Sequence, residues 1–473
     1  MPSNTLGRTI GLRTCLSILI GGVIGSGIFM RPAEIAALLG SPLLLMLAWI
    51  LGGLVTLLFT MVMAEIAAMI PEEGGSYTFM RHMYGDFWAY LYGWACFAVI
   101  NCAGTAGIAF IFSQYLEYFI PLPSFARETE LSFSIGIPFI GKVFPLEHFG
   151  VKVCTVVLLV VLSLVNYRST KAGGNLQFIS ALAKVSAITI LCFGLFASGK
   201  GDLAHFTTSS SVIHPTGFAL LVAMAAAING TLQAYDGTAN LINMTGEIKE
   251  PHKNISLSLF WGMWICIGIY LLINAGMIFV LDIDTMAGSE LVASSAVQKA
   301  FGPAGAGFMI GLVCLSVFGT TNVNVMSPPR LTFAMERQDH FFRSAGRIHP
   351  KFNTPGKAIL IHLVVMIALV FSGSFYMLTD MYIFIVWLFN LFFIAGLFIL
   401  RKKMPGAVRP YKVWGYPWMP ALIFLGNAAY LVLILVGDAE AFSQGKTPVM
   451  NSVAGLALTA LGIPFYFYFK RKR

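Results

Sequence analysis

Apolar runs of about twenty residues follow one another along almost the whole chain, with hardly a charge inside them. In hydrocarbon an unpaired backbone N–H or C=O costs several kcal/mol, so only helices or closed barrels can be built from such runs. A helix crosses the hydrocarbon in about twenty residues. Barrel strands are half that length and alternate apolar with polar positions, which these runs do not. The pattern predicts an all-α polytopic membrane protein. Of the 473 residues, 57% are hydrophobic and 11% charged, whereas a soluble domain is about 25% charged. That excludes most cytosolic enzymes, nucleic-acid binders and secreted modules. The first apolar run is too long for a secretory signal peptide.

Twelve apolar segments are predicted, over 10–39, 42–70, 86–116, 151–167, 175–198, 216–244, 256–281, 304–327, 356–373, 377–400, 416–437 and 449–469. The stretch 118–150 reads as an external loop and 286–301 as a short amphipathic surface helix. An even number of crossings puts both termini on one side. That side collects 22 of the 30 Lys and Arg, the other side seven, and Lys184 lies inside a segment. The asymmetry predicts cytoplasmic termini and explains the net charge of +9 without any nucleic acid. The seven Cys all fall in apolar segments, without metal-ligand spacing, and read as small buried hydrophobes. No metal or cofactor is expected. No stretch between segments is long enough for a separate domain and no GxxxxGK[ST] loop is present, so function must lie within the bundle.

Two segments carry their own interruptions. The first contains Gly21-Gly22-Val23-Ile24-Gly25-Ser26-Gly27, where four Gly and one Ser are poor helix formers. One reading is a close-packed glycine seam. The other is an unwound stretch lining a cavity, whose free N–H groups at Gly25, Ser26 and Gly27 open a half-helix and hold a carboxylate. The sixth segment contains Gln233-Ala234-Tyr235-Asp236-Gly237. Asp-Gly is a turn signal; Asp236 could cap the second half-helix, and the carbonyls before the break would suit an ammonium group. The breaks lie about 210 residues apart, the offset between first and sixth segments, as in an inverted-repeat transporter. An anion site facing a cation site would hold a zwitterion, of which an α-amino acid is the obvious example.

Lys184 is roughly 15 Å deep at 1.5 Å per residue, beyond easy snorkelling. It could replace a bound Na⁺ by its own charge or carry a proton. Glu65 reads as a partner for a loop Arg and His362 as a snorkelling side chain. Thr320, Thr321 and Asn322 line a cavity or bond to neighbouring helices. Phe87, Trp88, Tyr90, Tyr92 and Trp94 read as an interfacial belt.

These residues resemble the amino acid–polyamine–organocation superfamily. The likeness rests on Gly25-Ser26-Gly27-Ile28-Phe29, Glu65 with Pro71-Glu72-Glu73-Gly74-Gly75-Ser76-Tyr77, Ala234-Tyr235-Asp236-Gly237 and Gly246-Glu247-Ile248-Lys249-Glu250-Pro251. Phe318-Gly319-Thr320-Thr321-Asn322, Pro329-Arg330, Phe333-Ala334-Met335, His349-Pro350, Thr354-Pro355 and Arg409-Pro410-Tyr411-Lys412 are similar to the L-type amino acid transporter branch, most of all to its bacterial serine/threonine and alanine-serine-cysteine exchangers. The resemblance implies a LeuT-like 5+5 inverted repeat, 10–198 and 216–400, with two C-terminal helices over 416–469 and helices 1 and 6 discontinuous, all one transporter domain. It implies sodium-independent exchange of neutral, small or polar L-amino acids across the cell (inner) membrane by alternating access. By position, Val23, Ile24, Gly25, Ser26 and Gly27 would bind the carboxylate, and Gln233, Ala234, Tyr235 and Asp236 the amine. Lys184 would link the broken first helix to the eighth. Human members bind a heavy chain through a Cys in the loop after the third span; 118–150 has none, so no such disulfide partner is expected. Gln233 and Thr238 stand where the family commonly has aromatic residues. A proton-coupled symporter, a polyamine or cationic amino acid carrier, and an amino-acid-binding sensor are the alternatives. No nucleophile–base set points to an enzyme.

Overall fold

The computed structural model describes residues 7–137, 141–213, 215–289, 291–372, 375–444 and 450–471. Ten of its helices are long and apolar enough to cross a membrane, and the bent pair Leu12–Val23 and Gly27–Leu39 makes an eleventh. A shorter apolar helix, Gly356–Ser372, falls at the ninth predicted segment. We number these helical segments 1–12 along the chain. Segment 1 is the pair 1a (Leu12–Val23) and 1b (Gly27–Leu39). Segment 2 is Pro42–Met69, and segment 3 runs through Asp86–Leu116 with one π-helical turn at Cys96–Asn101. Segments 4 and 5 are Phe149–Arg168 and Thr170–Ala197. Segment 6 is 6a (Gly217–Ala234) with 6b (Thr238–Ile242), and segment 7 is Pro251–Val280. Segments 8, 10 and 11 are Pro303–Met326, Phe375–Lys403 and Trp418–Ser443. Asn451–Ala460 and Gly462–Arg471 form segment 12.

Local sequence sets the helix starts. Pro42, Pro251 and Pro303 each occupy a first helical position, where the missing N–H is one that the helix could not use. Segments 4 and 5 are separated by Ser169 alone, whose extended backbone breaks the run and whose hydroxyl accepts from Ala172 N–H at 3.1 Å. The expected surface helix over 286–301 is two short helices, Ile283–Ala287 and Val292–Phe301, and the second buries Val292, Ala293, Ala296 and Val297. The predicted loop over 118–150 contains the helix Arg127–Ser132 and a small antiparallel hairpin, Ile135–Ile137 with Gly141–Val143.

Half-helix 1a packs against segments 5, 7 and 8, and 1b against 6a; segment 7 lies along segment 2, and segment 8 along segments 3 and 5. Six of the seven Cys are buried and Cys154 is partly exposed. Two expectations fail here. His362 does not snorkel: it is 3% exposed, with Nε2 2.7 Å from the Thr332 hydroxyl. Tyr90 and Tyr92 are not in a belt but packed against Tyr466 and against Phe389 and Phe393. Both errors share one cause. Segments apolar on every face carry no periodic signal for rotation about the axis, so depth along a helix does not tell protein from lipid.

The end of the bundle that carries the N-terminus is tied by polar groups. Ile10 N–H donates to the Glu247 carbonyl at 3.0 Å and Lys249 N–H to the Ile10 carbonyl at 2.9 Å. Glu65 is fully buried and accepts both Arg401 Nε and Nη2 at 2.8 Å, and Val413 N–H at 2.6 Å. Arg330 donates through Nε to Glu247 at 2.7 Å and through Nη2 to Thr170 at 3.0 Å, with the Arg330 and Glu247 side chains 2% and 3% exposed. Removing one partner of such a pair strands the other charge, at about 3–5 kcal/mol, whereas replacing both by apolar groups is often neutral. Glu247→Ala is therefore expected to lower the melting midpoint of the purified protein sharply. Glu247→Leu combined with Arg330→Met should restore most of the loss. A double variant as unstable as the sum of its parts would count against this account.

Candidate functional site

The break in segment 1 follows from its sequence. Half-helix 1a ends at Val23, Ile24 leaves helical geometry (ψ 90°), and 1b starts at Gly27 with its axis turned by 41°. The carbonyls at the end of 1a would be orphans in hydrocarbon. Lys184, from segment 5 and fully buried, donates to the carbonyls of Ile24 at 2.7 Å, Ser316 at 2.8 Å and Gly21 at 3.2 Å. From segment 8, the Thr320 hydroxyl lies 3.0 Å from Gly21 O and 3.2 Å from Ile24 O. The Ser316 hydroxyl lies 3.0 Å from Ile24 O and 3.3 Å from Gly25 O. No carboxylate among the described residues pairs with Lys184. Its charge sits instead at the C-terminal, negative end of the 1a dipole. The three N–H bonds of an ammonium match the three carbonyls.

The N–H side of the break is left open. No acceptor among the described residues meets the N–H of Gly25 or Ser26, and residues 25–27 are partly exposed while Val23 and Ile24 are buried. Two amides at the start of a half-helix are therefore left without a protein acceptor among the described residues, an arrangement that favours an anion.

The two breaks meet. A Cβ added to Gly27 would stand 3.2 Å from Ala234 Cα, so the start of 1b touches the end of 6a. A Cβ on Gly237 would stand 2.7 Å from Gly22 C and Val23 N, so the start of 6b touches the end of 1a. Gly237 also has φ +150°, which side-chain-bearing residues rarely adopt. Between the breaks, the Tyr270 hydroxyl of segment 7 lies 2.9 Å from both Val23 O and Ala234 O, sharing one hydrogen between the last carbonyls of 1a and 6a.

Of the residues singled out in segment 6, Gln233 and Asp236 are partly exposed, and Ala234 and Tyr235 are buried. The Tyr235 ring is packed among aromatic side chains, 4.8 Å from Tyr270 and 5.8 Å from Trp49 between centroids. Its contribution to the site is its backbone. Gln233 O accepts Asp236 N–H at 3.3 Å and also faces Tyr235 N–H. Asp236 does not cap 6b, since the N-cap is Gly237 and no side chain bonds there; its carboxylate accepts from the Tyr382 hydroxyl of segment 10. Half-helix 6b is held to segment 8 by Asn240, which donates to Asn324 at 2.8 Å and accepts at its carbonyl from Ser327 at 2.8 Å. Among the described residues no group of three His, Cys, Asp or Glu is assembled for a metal.

Sequence reasoning missed Ser316, Tyr270, Tyr382 and Gln177. Ser316 carried a signal, lying four residues before Thr320 and so on the same helix face. Gln177 lies two turns before Lys184 on segment 5, donates to Ser17 O at 3.3 Å and accepts from Asn322 at 3.0 Å. Segment 5 thus grips 1a at two levels.

The pattern of the amino acid permease family matches residues 10–459. The serine/threonine exchanger SteT of Bacillus subtilis is 31% identical over 473 residues, covering 99% of this chain and 98% of that protein. The human large neutral amino acids transporter small subunit 2 is 28% identical over 467 residues, with 98% and 80% of the two chains covered. The human cystine/glutamate transporter is 28% identical over 466 residues, covering 98% and 85%.

Gly237 gives the sharpest test of the crossing. Gly237→Ala forces a side chain into strained backbone, at about 1–3 kcal/mol, and against the end of 1a. Its melting midpoint should fall well below wild type. Gly104→Ala, where nothing lies within 4 Å, should be neutral or slightly stabilising. Equal midpoints for the two variants would mean that the breaks do not cross as described.

Proposed function

The chain belongs to the amino acid permease family, and we propose that it is a sodium-independent exchanger of neutral, small or polar L-amino acids that works by alternating access. The observation that carries this reading is the unpaired N–H pair of Gly25 and Ser26, set beside the carbonyl-rich end of 6a. The substrate carboxylate meets N–H groups of the 23–27 stretch, chiefly Gly25, Ser26 and Gly27. The amine meets the backbone of Gln233, Ala234, Tyr235 and Asp236. Val23 and Ile24 border the carboxylate indirectly, by ending 1a: their side chains are buried and Ile24 N–H donates to Ile20 O at 2.9 Å. The crossing of two broken helices supports the two-repeat reading, 10–198 and 216–400, of a LeuT-like bundle. The distribution of Lys and Arg supports cytoplasmic termini in the cell (inner) membrane. The loop over 118–150 contains no Cys, so the carrier works without a disulfide-linked heavy chain.

Lys184 supplies a tethered cation where carbonyl and hydroxyl oxygens of segments 1 and 8 converge. A diffusible Na⁺ in the same nest would leave with each cycle and couple transport to its gradient; an ammonium fixed to segment 5 does not. It also links the break to segment 8, so it favours the conformations in which 1a lies against segments 5 and 8.

Purified protein in liposomes tests the exchange directly. Radiolabelled serine is expected to enter only when a neutral amino acid is inside, and equally well without Na⁺. Uptake into empty vesicles driven by a Na⁺ gradient would overturn the reading, and uptake driven by a pH gradient alone would assign proton symport instead.

Lys184→Ala tests the coupling role. Without the ammonium, two hydroxyl hydrogens remain for the carbonyls of Gly21, Ile24, Gly25 and Ser316, and each buried acceptor left bare costs about 1–3 kcal/mol. That cost falls on the states that use the bridge, so populations shift, and about 1.4 kcal/mol is tenfold. Exchange should slow more than tenfold while some substrate binding survives. Lys184→Arg should rescue poorly, because a planar fork does not fit a point-charge nest. Normal exchange by Lys184→Ala would remove the residue from the mechanism.

A further inference from the structure

We propose that Arg31 is a positioning residue for exchange: it clasps 6a to 1b at the mouth of the site facing away from the termini, and so sets how tightly substrate is held from that side. The proposal rests on the exchange reading and orientation given above. Arg31 lies four residues beyond Gly27, one turn into 1b. Its Nη2 donates to Gln233 Oε1 at 2.5 Å, while Nη1 pairs with Glu34. The Gln233 amide nitrogen in turn donates to Asn229 at 3.3 Å, one turn back along 6a. Gly230 leaves the lane for the arginine stem: a Cβ there would stand 3.8 Å from Arg31 Cδ. Tyr430 of segment 11 borders Gln233 and Asn229.

Three observations make this more than a surface ion pair. First, Arg31 and Glu34 are complete as a pair within 1b, yet the second guanidinium nitrogen is committed to a different helix. Second, the clasp joins the same two half-helices that carry the proposed carboxylate and amine contacts. Their first touch is Gly27 on Ala234; Arg31 on Gln233 is the second, a turn further out. A zwitterion needs those two halves at one separation, and a bond between them fixes it. Third, the Arg31 and Glu34 side chains are 31% and 57% exposed, against 2% and 3% for the Arg330–Glu247 pair at the other end. The outer clasp can open to water without stranding a buried charge. Its geometry suits a contact made and broken in each cycle.

The clasp belongs to the closed form, so losing it weakens substrate capture from that side only. In proteoliposomes of known orientation, Arg31→Ala should raise the KM for serine on the side opposite the termini by about tenfold, equivalent to about 1.4 kcal/mol, with KM on the termini side within twofold of wild type. Gln233→Leu should do the same. The double variant should be no worse than either single one, because both remove one bond, and Arg31→Lys should recover part of the affinity. Equal changes on both sides, or additive effects of the two substitutions, would overturn the clasp. If Arg31→Ala does not fold, the sided KM of Gln233→Leu and of Gln233→Glu, which keeps an acceptor for Arg31, decides the question alone: loss in the first and retention in the second is the expected result, and equal behaviour overturns it. Absence of serine exchange in the wild type would instead reject the exchange reading itself.

Discussion

A helix that stops inside a bundle leaves carbonyls pointing at nothing, and the arrangement around segment 1 answers that constraint. Lys184 sits at the negative end of 1a, and carbonyl dipoles rather than a counter-ion stabilise it. This relation explains why a lone charge is tolerated fully buried, and why Ser316 and Thr320 stand one turn apart on segment 8. It also explains why Gln177 and Lys184 share a face of segment 5. Because the carbonyl side of the break is met by protein, the N–H side can be kept free. One half of the break is structural so that the other half can be available to a ligand.

The second break depends on the first. The end of 1a and the start of 6b pass so closely that Gly237 has no room for a side chain. Tyr270 ties the two terminal carbonyls with a single hydroxyl. Neither break could be placed independently, and a displacement of 1a presses on the backbone of 6b rather than on a deformable side chain. The two ends of the bundle are closed by different chemistry. The buried Arg330–Glu247 pair and the buried Glu65, held by Arg401, tie the end that bears the termini. A half-exposed arginine holds the other.

The legible parts of the sequence were those in which one residue type breaks a rule of the membrane. Glycines at 21–27, Asp236-Gly237 and Lys184 all violate the demand for continuous apolar helix, and each lies where the helices are broken or bridged. Glu65 was legible for the same reason, a carboxylate inside an apolar segment that requires a cationic partner. Tyr270 and Tyr382 break no rule, since hydroxyls in apolar helices are ordinary, and only the tertiary arrangement gives them their partners. Arg31 carried no signal of its role, because its partner is about 200 residues away in sequence. His362, Tyr90 and Tyr92 were misplaced because nothing in an all-apolar segment tells which way it is turned.

The short backbone ladder at Ile10, Glu247 and Lys249 has an evolutionary corollary. Its bonds run through main-chain groups alone, so it places little demand on which side chains occupy positions 10 and 249. Those positions can drift in sequence while the tie between the start of segment 1 and the end of segment 6 persists. Proline is the exception, since it removes the donor on which each bond depends.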